Sequence, residues 1–254
     1  MTFAGLVAIV MLSNWVGIFF GRRRKRRSKP ADEDGPFGAV VSATLGLLAF
    51  ILAFTFGLTA SRFDTRKQLL LDEVTAIETT ALRAELIPEP HRTEVQKIIR
   101  TYIEVRIDIS RNPGSLRERI KQSEELQRQL WPHAAAMAEA DLKNPDVVSL
   151  FVDSVNELVN AQTRRITVIN YHIHWLIWSV LFGVTILSMI EVGYLFGKGN
   201  VNWLFIIALS LAFSGVMILI VDLDRTGTGA VGAISVSQQP MIDLHERLYL
   251  TPTK

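Results

Sequence analysis

Four stretches of this sequence run almost free of charge for long enough to cross a bilayer, and no other feature constrains the fold as hard. They are Phe3 to Phe20, about Phe37 to Thr59, about Tyr171 to Phe196, and Val201 to Val221. At 1.5 Å per helical residue, roughly 18 apolar residues or more span a hydrocarbon core about 30 Å thick. Lipid offers the backbone no hydrogen-bond partner, so each stretch must be helical. Whole-chain averages conceal this, because 49% hydrophobic and 20% charged residues would suit a water-soluble protein. The sequence predicts an all-α, polytopic membrane protein with four transmembrane helices and a helical extramembrane layer over residues 60–170.

Charge sets the expected topology. Arg22-Arg23-Arg24-Lys25-Arg26-Arg27 follows the first span, and nothing basic precedes it. A cleaved signal peptide would show the reverse order, so the first span is expected to stay as an anchor. Basic residues in short loops remain cytoplasmic, which puts residues 21–36 inside and the N-terminus outside. Four spans then place the helical domain and both termini outside the cytoplasm of a cell with this protein in its inner membrane. Lys198, in the Gly197-Lys198-Gly199-Asn200 hairpin, agrees. Between two spans the hexad reads as a topology signal and a contact for anionic lipid headgroups, not as a nucleic-acid-binding patch. Net charge is only +2.

The expected segments are 1–36 (first span and basic loop), 37–59 (second span), 60–170 (helical domain), 171–222 (a transmembrane hairpin) and 223–254 (a C-terminal tail). No break separates the second span from the residues after it, so one helix should continue through Ser61 to Leu86 and stop at Pro88-Glu89-Pro90. A further helix is expected from His91 to Ile109. Asn112-Pro113-Gly114 turns the chain, and Ser115 to Glu118 reads as a capping box opening the next helix. Trp131-Pro132 should break or kink that helix. Pro145 then opens the last helix of the domain, with Val147, Phe151, Val155 and Leu158 as its apolar stripe. With no breaker before Tyr171, that helix is expected to enter the third span directly. Two continuous helices would make the soluble and membrane layers one rigid body.

Along the second span, Thr44, Thr55, Thr59, Arg62, Arg66, Glu73 and Thr80 fall within ~40° of one line at about 100° per residue. In a symmetric oligomer with this edge inward, Arg62 and Arg66 would form a positive ring that concentrates anions. Leu47, Phe50, Ile51 and Phe54 of the same span could build an apolar constriction that gates by dewetting. The alternatives are plainer. Hydroxyls in membrane helices bond their own backbone. The arginines could snorkel to lipid phosphates or pair with Asp64 and Glu73.

Glu191 sits inside the third span, where a carboxylate is a candidate for ion coordination or proton relay, or simply reaches towards Lys198. His172 and His174 are two apart, point to opposite faces and cannot grip one metal together. Asp222, Asp224 and Arg225 cluster where the fourth span ends. Two carboxylates fall short of the six to eight oxygens of a calcium site, so a local Asp–Arg pair is the simpler reading. There is no cysteine, no triad, no phosphate loop and no metal-ligand spacing. The chain gives no positive case for catalysis, a cofactor or a metal.

Two stretches carry a resemblance. The first is Leu52 to Arg66 (LAFTFGLTASRFDTR), with Asp72 to Glu78 and Tyr102-Ile-Glu-Val-Arg106 after it. The second is Asp222-Leu-Asp-Arg225, then Gly232 to Ser237 and Pro240, with Thr226 where the pattern commonly has Pro. Together they resemble the bestrophin-like domain family of bacterial membrane proteins over roughly residues 37–250. The resemblance implies kinship with bestrophins, pentameric ion channels whose second membrane helix lines the pore. By that analogy Leu47 to Phe54 would form the neck, with Arg62 and Arg66 below it. Bestrophins keep their soluble layer in the cytoplasm; the basic hexad here argues for the opposite side. The expected function is a homo-oligomeric channel for small inorganic ions, anions if the arginines face the axis. The alternative is a non-conducting membrane-anchored protein whose helical domain docks a partner.

Overall fold

The computed structural model describes residues 3–26, 35–111, 113–139, 145–169, 171–199, 201–224 and 235–250. They form helices α1 (Phe3–Lys25), α2 (Gly35–Ala84), α3 (His91–Arg111), α4 (Leu116–Glu139), α5 (Pro145–Ile169), α6 (Trp175–Lys198), α7 (Trp203–Asp224) and α8 (Gln239–Tyr249). No strand occurs among the described residues. The chain divides into two compact units. One contains α1, α2 as far as Arg62, α6 and α7; the other contains α2 from Phe63, then α3, α4, α5 and α8. Four helices, those beginning at Phe3, Phe37, Trp175 and Trp203, are long and apolar enough to cross a membrane. The protein is a multi-pass membrane protein.

Within the membrane unit, α1 and α6 run parallel and pack backbone against backbone. A Cβ on Gly17 would strike the carbonyl of Ile190, and one on Gly193 would strike the carbonyl of Asn14. Gly21 and Gly197 face each other in the same way. Lipid tails are as apolar as leucine, so close approach over small residues, not hydrophobic burial, drives such contacts. A layer of large side chains completes the unit, with Leu6, Val10, Leu48, Leu52, Leu181, Met189, Met217 and Ile220 buried together.

The second unit has the core of a water-soluble bundle. Ile77, Ile99, Tyr102, Ile103, Phe151, Leu158 and Leu244 are buried in one cluster drawn from α2, α3, α5 and α8. The C-terminal stretch therefore contributes a core-forming helix, α8, through Met241 and Leu244.

Two expectations need correction. First, α5 does not continue into α6. It ends at Ile169, and residues 171–174 have no regular secondary structure before α6 starts at Trp175. Side chains hold that stretch: Arg66 donates to the Tyr171 carbonyl at 3.1 Å, and the Ile173 N–H donates to the Asp224 carboxylate at 3.0 Å. His174 then caps α6, its ring accepting from the Leu176 N–H. Among the described residues, α2 is the one helix that runs from one unit into the other. Second, Pro132 does not break the helix, as one of its two expected effects would have it: it lies inside α4, which runs from Leu116 to Glu139. Trp131 and Pro132 are exposed, so the carbonyl left without a donor faces solvent at little cost.

Candidate functional site

The polar edge of α2 faces the chain itself. Thr55 and Thr59 are 1% and 0% exposed. Their hydroxyls donate to carbonyls of their own helix, Thr55 to Ile51 at 2.7 Å and Thr59 to Thr55 and Phe56 at 3.1 and 2.9 Å. Arg66 is buried and Arg62 approaches Asp224 at 4.0 Å. Burial within one chain can only deepen on assembly. Thr55, Thr59, Arg66, Glu73 and Thr80 are thus covered by the chain's own helices, while the Arg62 side chain stays 37% exposed. The physical reason is that an apolar protein interior and a lipid tail look alike to a hydropathy pattern, so the stripe did not reveal which side was which.

The face left open is the apolar one. Leu47, Phe50 and Phe54 are 50%, 68% and 60% exposed, and the Phe50 and Phe54 rings stack with centroids 6.5 Å apart. Ile51, at their edge, is half-buried against the core. Thr44 donates to the Glu191 carboxylate, a bond that fixes that intramembrane acid against α2. Lys198, which was expected to draw Glu191, places its ammonium 5.2 Å from the centre of the Tyr194 ring. Of the C-terminal acids, Asp222 and Asp224 are buried, while Arg225 lies outside the described residues.

Glu73 is where the second unit concentrates its charge. It is fully buried, and Arg106 pairs with it, Nη2 donating to one oxygen at 2.8 Å and Nε lying 2.7 Å from the other as an ion-pair contact. Arg165 donates to the same carboxylate, and its other nitrogen reaches Gln238 at 2.9 Å. The Tyr102 hydroxyl donates to Glu73 at 2.6 Å. Burial alone would raise the Glu73 pKa, but the Arg106 and Arg165 guanidiniums outweigh it and hold the carboxyl at about 2. Burial also pushes the Tyr102 phenol well above its ordinary value, with the Glu73 charge adding to it. Arg165 is lowered by burial, and Arg106 is raised because Glu73 overcomes burial. Desolvating two cations on one anion is costly unless the contacts are close, as they are here. The cluster ties α2, α3 and α5 together.

Tyr102 and Arg106 lie four apart, on one face of α3, within a stretch that carried the family resemblance. Arg165 went unnoticed, although Phe151, Val155, Leu158, Gln162 and Arg165 follow at alternating steps of four and three. A charged residue at a position reserved for the apolar stripe was the available signal. No group of three or more metal-ligating side chains gathers among the described residues.

The sequence matches the family model described as Bestrophin-like domain over residues 4–241. No curated protein sequence matches it. Among solved structures, the fold is similar to a bacterial bestrophin homolog from Klebsiella pneumoniae. One point variant of that protein aligns over 98% of both chains at 14% identity with a TM-score of 0.72. A second structure of it, phased with zinc, aligns over 97% of both chains at 12% identity and a TM-score of 0.70.

Proposed function

The chain belongs to the bestrophin-like domain family, and from that premise we propose that it is a membrane ion channel assembled from several copies, with the open face of α2 lining the path. The carrying observation is that face: Leu47, Phe50 and Phe54 are left exposed by a chain whose other helices cover the opposite side of α2. Arranged about an axis, stacked phenylalanines would make an apolar neck that conducts when wetted and closes when dry. Five copies are proposed on the family resemblance.

Continuing along α2 at about 100° per residue, Ser61, Thr65 and Gln68 follow the line of Phe50 and Phe54 to within about 40°, and Asp64 lies about 60° from it. All four are exposed. This edge carries a carboxylate and no guanidinium. Arg62 and Arg66, on which an anion preference depended, are engaged elsewhere. The reading therefore shifts to small cations, drawn by Asp64.

The basic run after α1 supports a cytoplasmic loop 21–36 in the inner membrane, with the second unit outside. Because the chain has no native cysteine, an exposed residue of that unit such as Arg128 can be replaced by Cys and probed with a membrane-impermeant thiol reagent on intact cells. Labelling supports this orientation and protection reverses it. Conduction is tested by recording cation and anion flux into liposomes loaded with the purified oligomer. Absence of flux under every gradient, with the oligomer intact, would sink the proposal.

One observation favours the second reading. A cleft of about 580 Å³ opens between α2 and α5, edged by Asp72, Thr79, Arg83, Asp153, Glu157 and Arg164. A docking partner of mixed charge would fit it, and a monomeric or dimeric mass in detergent would favour that role.

A further inference from the structure

Two histidines that lie 42 residues apart in the chain meet between two helices of the second unit. His91 opens α3, His133 lies inside α4, and their Nδ1 atoms are 3.1 Å apart. The ring planes are inclined at 73° with centroids 5.4 Å apart, and both rings are half-buried. The chain has five histidines, and the other three have different settings. His245 lies 3.5 Å from Glu104, His174 caps α6, and His172 is exposed next to Tyr171.

As a neutral pair the two rings share one hydrogen bond, the Nδ1–H of one donating to the bare Nδ1 of the other. The same two nitrogens are spaced as metal ligands. At roughly 2.0–2.1 Å from a common ion, two imidazole nitrogens stand about 2.9 Å apart at a right angle and about 3.3 Å apart at the tetrahedral angle. The observed 3.1 Å falls between these limits. The rings face each other directly, so a small swing of each turns both lone pairs onto one point. Because both ligands sit on packed helices, an ion has little left to order.

The surroundings draw a cation. Glu94 stands in the first turn of α3, and Glu89, bonded to Thr93, comes just before His91. Arg92 of that turn is bonded back to the Ile87 carbonyl at 3.0 Å. One turn either side of His133, Gln129, Leu130, Ala136 and Met137 bring no charge.

We infer that His91 and His133 form a binding site for a divalent transition-metal ion of the zinc and copper class. Both Nδ1 atoms bind the ion, and water fills the remaining positions. No proton is lost from the neutral pair: the hydrogen that one Nδ1 donated moves, by exchange with water, to Nε2 of the same ring. Imidazole suits zinc, nickel and copper, whereas magnesium and calcium take oxygen ligands. An occupied site cross-links the first turn of α3 to α4. The site is independent of conduction.

The test uses full-length, tag-free protein in detergent, stripped with a chelator and titrated calorimetrically with zinc chloride or magnesium chloride. Zinc should bind at about one ion per chain in the micromolar range and raise the thermal midpoint, and magnesium should do neither. His91→Ala and His133→Ala should each weaken zinc binding by about tenfold or more, and the double variant should add little, because both ligands hold one ion. His172→Ala should bind zinc as the wild type does. A second arm needs no substitution. In the wild type, zinc should shield His91 and His133 together from diethylpyrocarbonate, read by peptide mass mapping, and leave His172 reactive. Four results would overturn the site: no saturable zinc binding, magnesium binding equally well, full zinc affinity in the double variant, or protection confined to His172, His174 or His245.

Discussion

In the membrane half of α2 the buried hydroxyls turn back onto their own helix, whereas in the other half of the same helix the buried polar groups reach across to different helices. Thr55 and Thr59 bond carbonyls one turn away. Further along, Thr80 also reaches the Ser154 carbonyl, and Glu73 gathers Arg106, Arg165 and Tyr102. Helix packing differs in parallel. The membrane unit is joined by glycine backbones at contact distance, the second unit by interlocked large side chains. The contrast follows from the solvent of the unfolded reference. Against lipid, burying leucine gains little and close backbone approach gains most. Against water, apolar burial is worth enough to offset the desolvation of a paired carboxylate.

This contrast can be broken at its strongest point first. Glu73→Ala leaves two buried guanidiniums without their anion and should cost about 3–5 kcal/mol. Circular dichroism in detergent should show the second unit's thermal midpoint collapsing while the membrane helices persist. If that unit survived unchanged, the cluster would not be its anchor. The same carboxylate fixes a pH dependence. Its folded pKa lies at about 2 against an ordinary 4.5, so its contribution is complete above 4.5 and fades as pH falls towards 2. Glu73→Gln, compared with the wild type from pH 6 to 2, should lack that slope.

The membrane unit is expected to fail differently. Gly193→Ala forces a Cβ against the Asn14 carbonyl and should cost about 1–3 kcal/mol, read as a lowered midpoint for helix loss of the membrane unit. A neutral result would mean α1 and α6 can separate without penalty. Smaller still, Thr59→Val removes a bond that the helix makes only to itself, and should change stability by about 0.6 kcal/mol or less. At the bottom of the scale, the exposed Arg100–Glu104 pair should be worth no more than about 0.5 kcal/mol in a double-mutant cycle.

The same contrast explains what could be read from the residues alone. The spans were legible because hydropathy averages over many positions, and the continuity of α2 because no Gly or Pro interrupts the 20 residues before Glu78. The orientation of α2 was not. Its hydroxyl edge and its Phe50–Phe54 edge sit on neighbouring faces, and composition does not tell protein from lipid as the apolar neighbour. The break at residues 171–174 was also hidden, since it depends on Arg66 and Asp224, far away in sequence. Arg165 stood in plain view on an apolar stripe, but a rule that expects charge outside passes over it. In the site, Glu73 stands out by its place on the polar edge of α2, while its partners come from α3 and α5.

The central claim is that the Phe50–Phe54 face of α2, and not its threonine edge, borders the ion path. Since the chain contains no cysteine, Phe54→Cys and Thr55→Cys can be compared side by side in liposomes while a small thiol reagent is added during flux. The account predicts that modification of Phe54→Cys changes the flux severalfold and that Thr55→Cys is unaffected. A response at Thr55→Cys with silence at Phe54→Cys would contradict it.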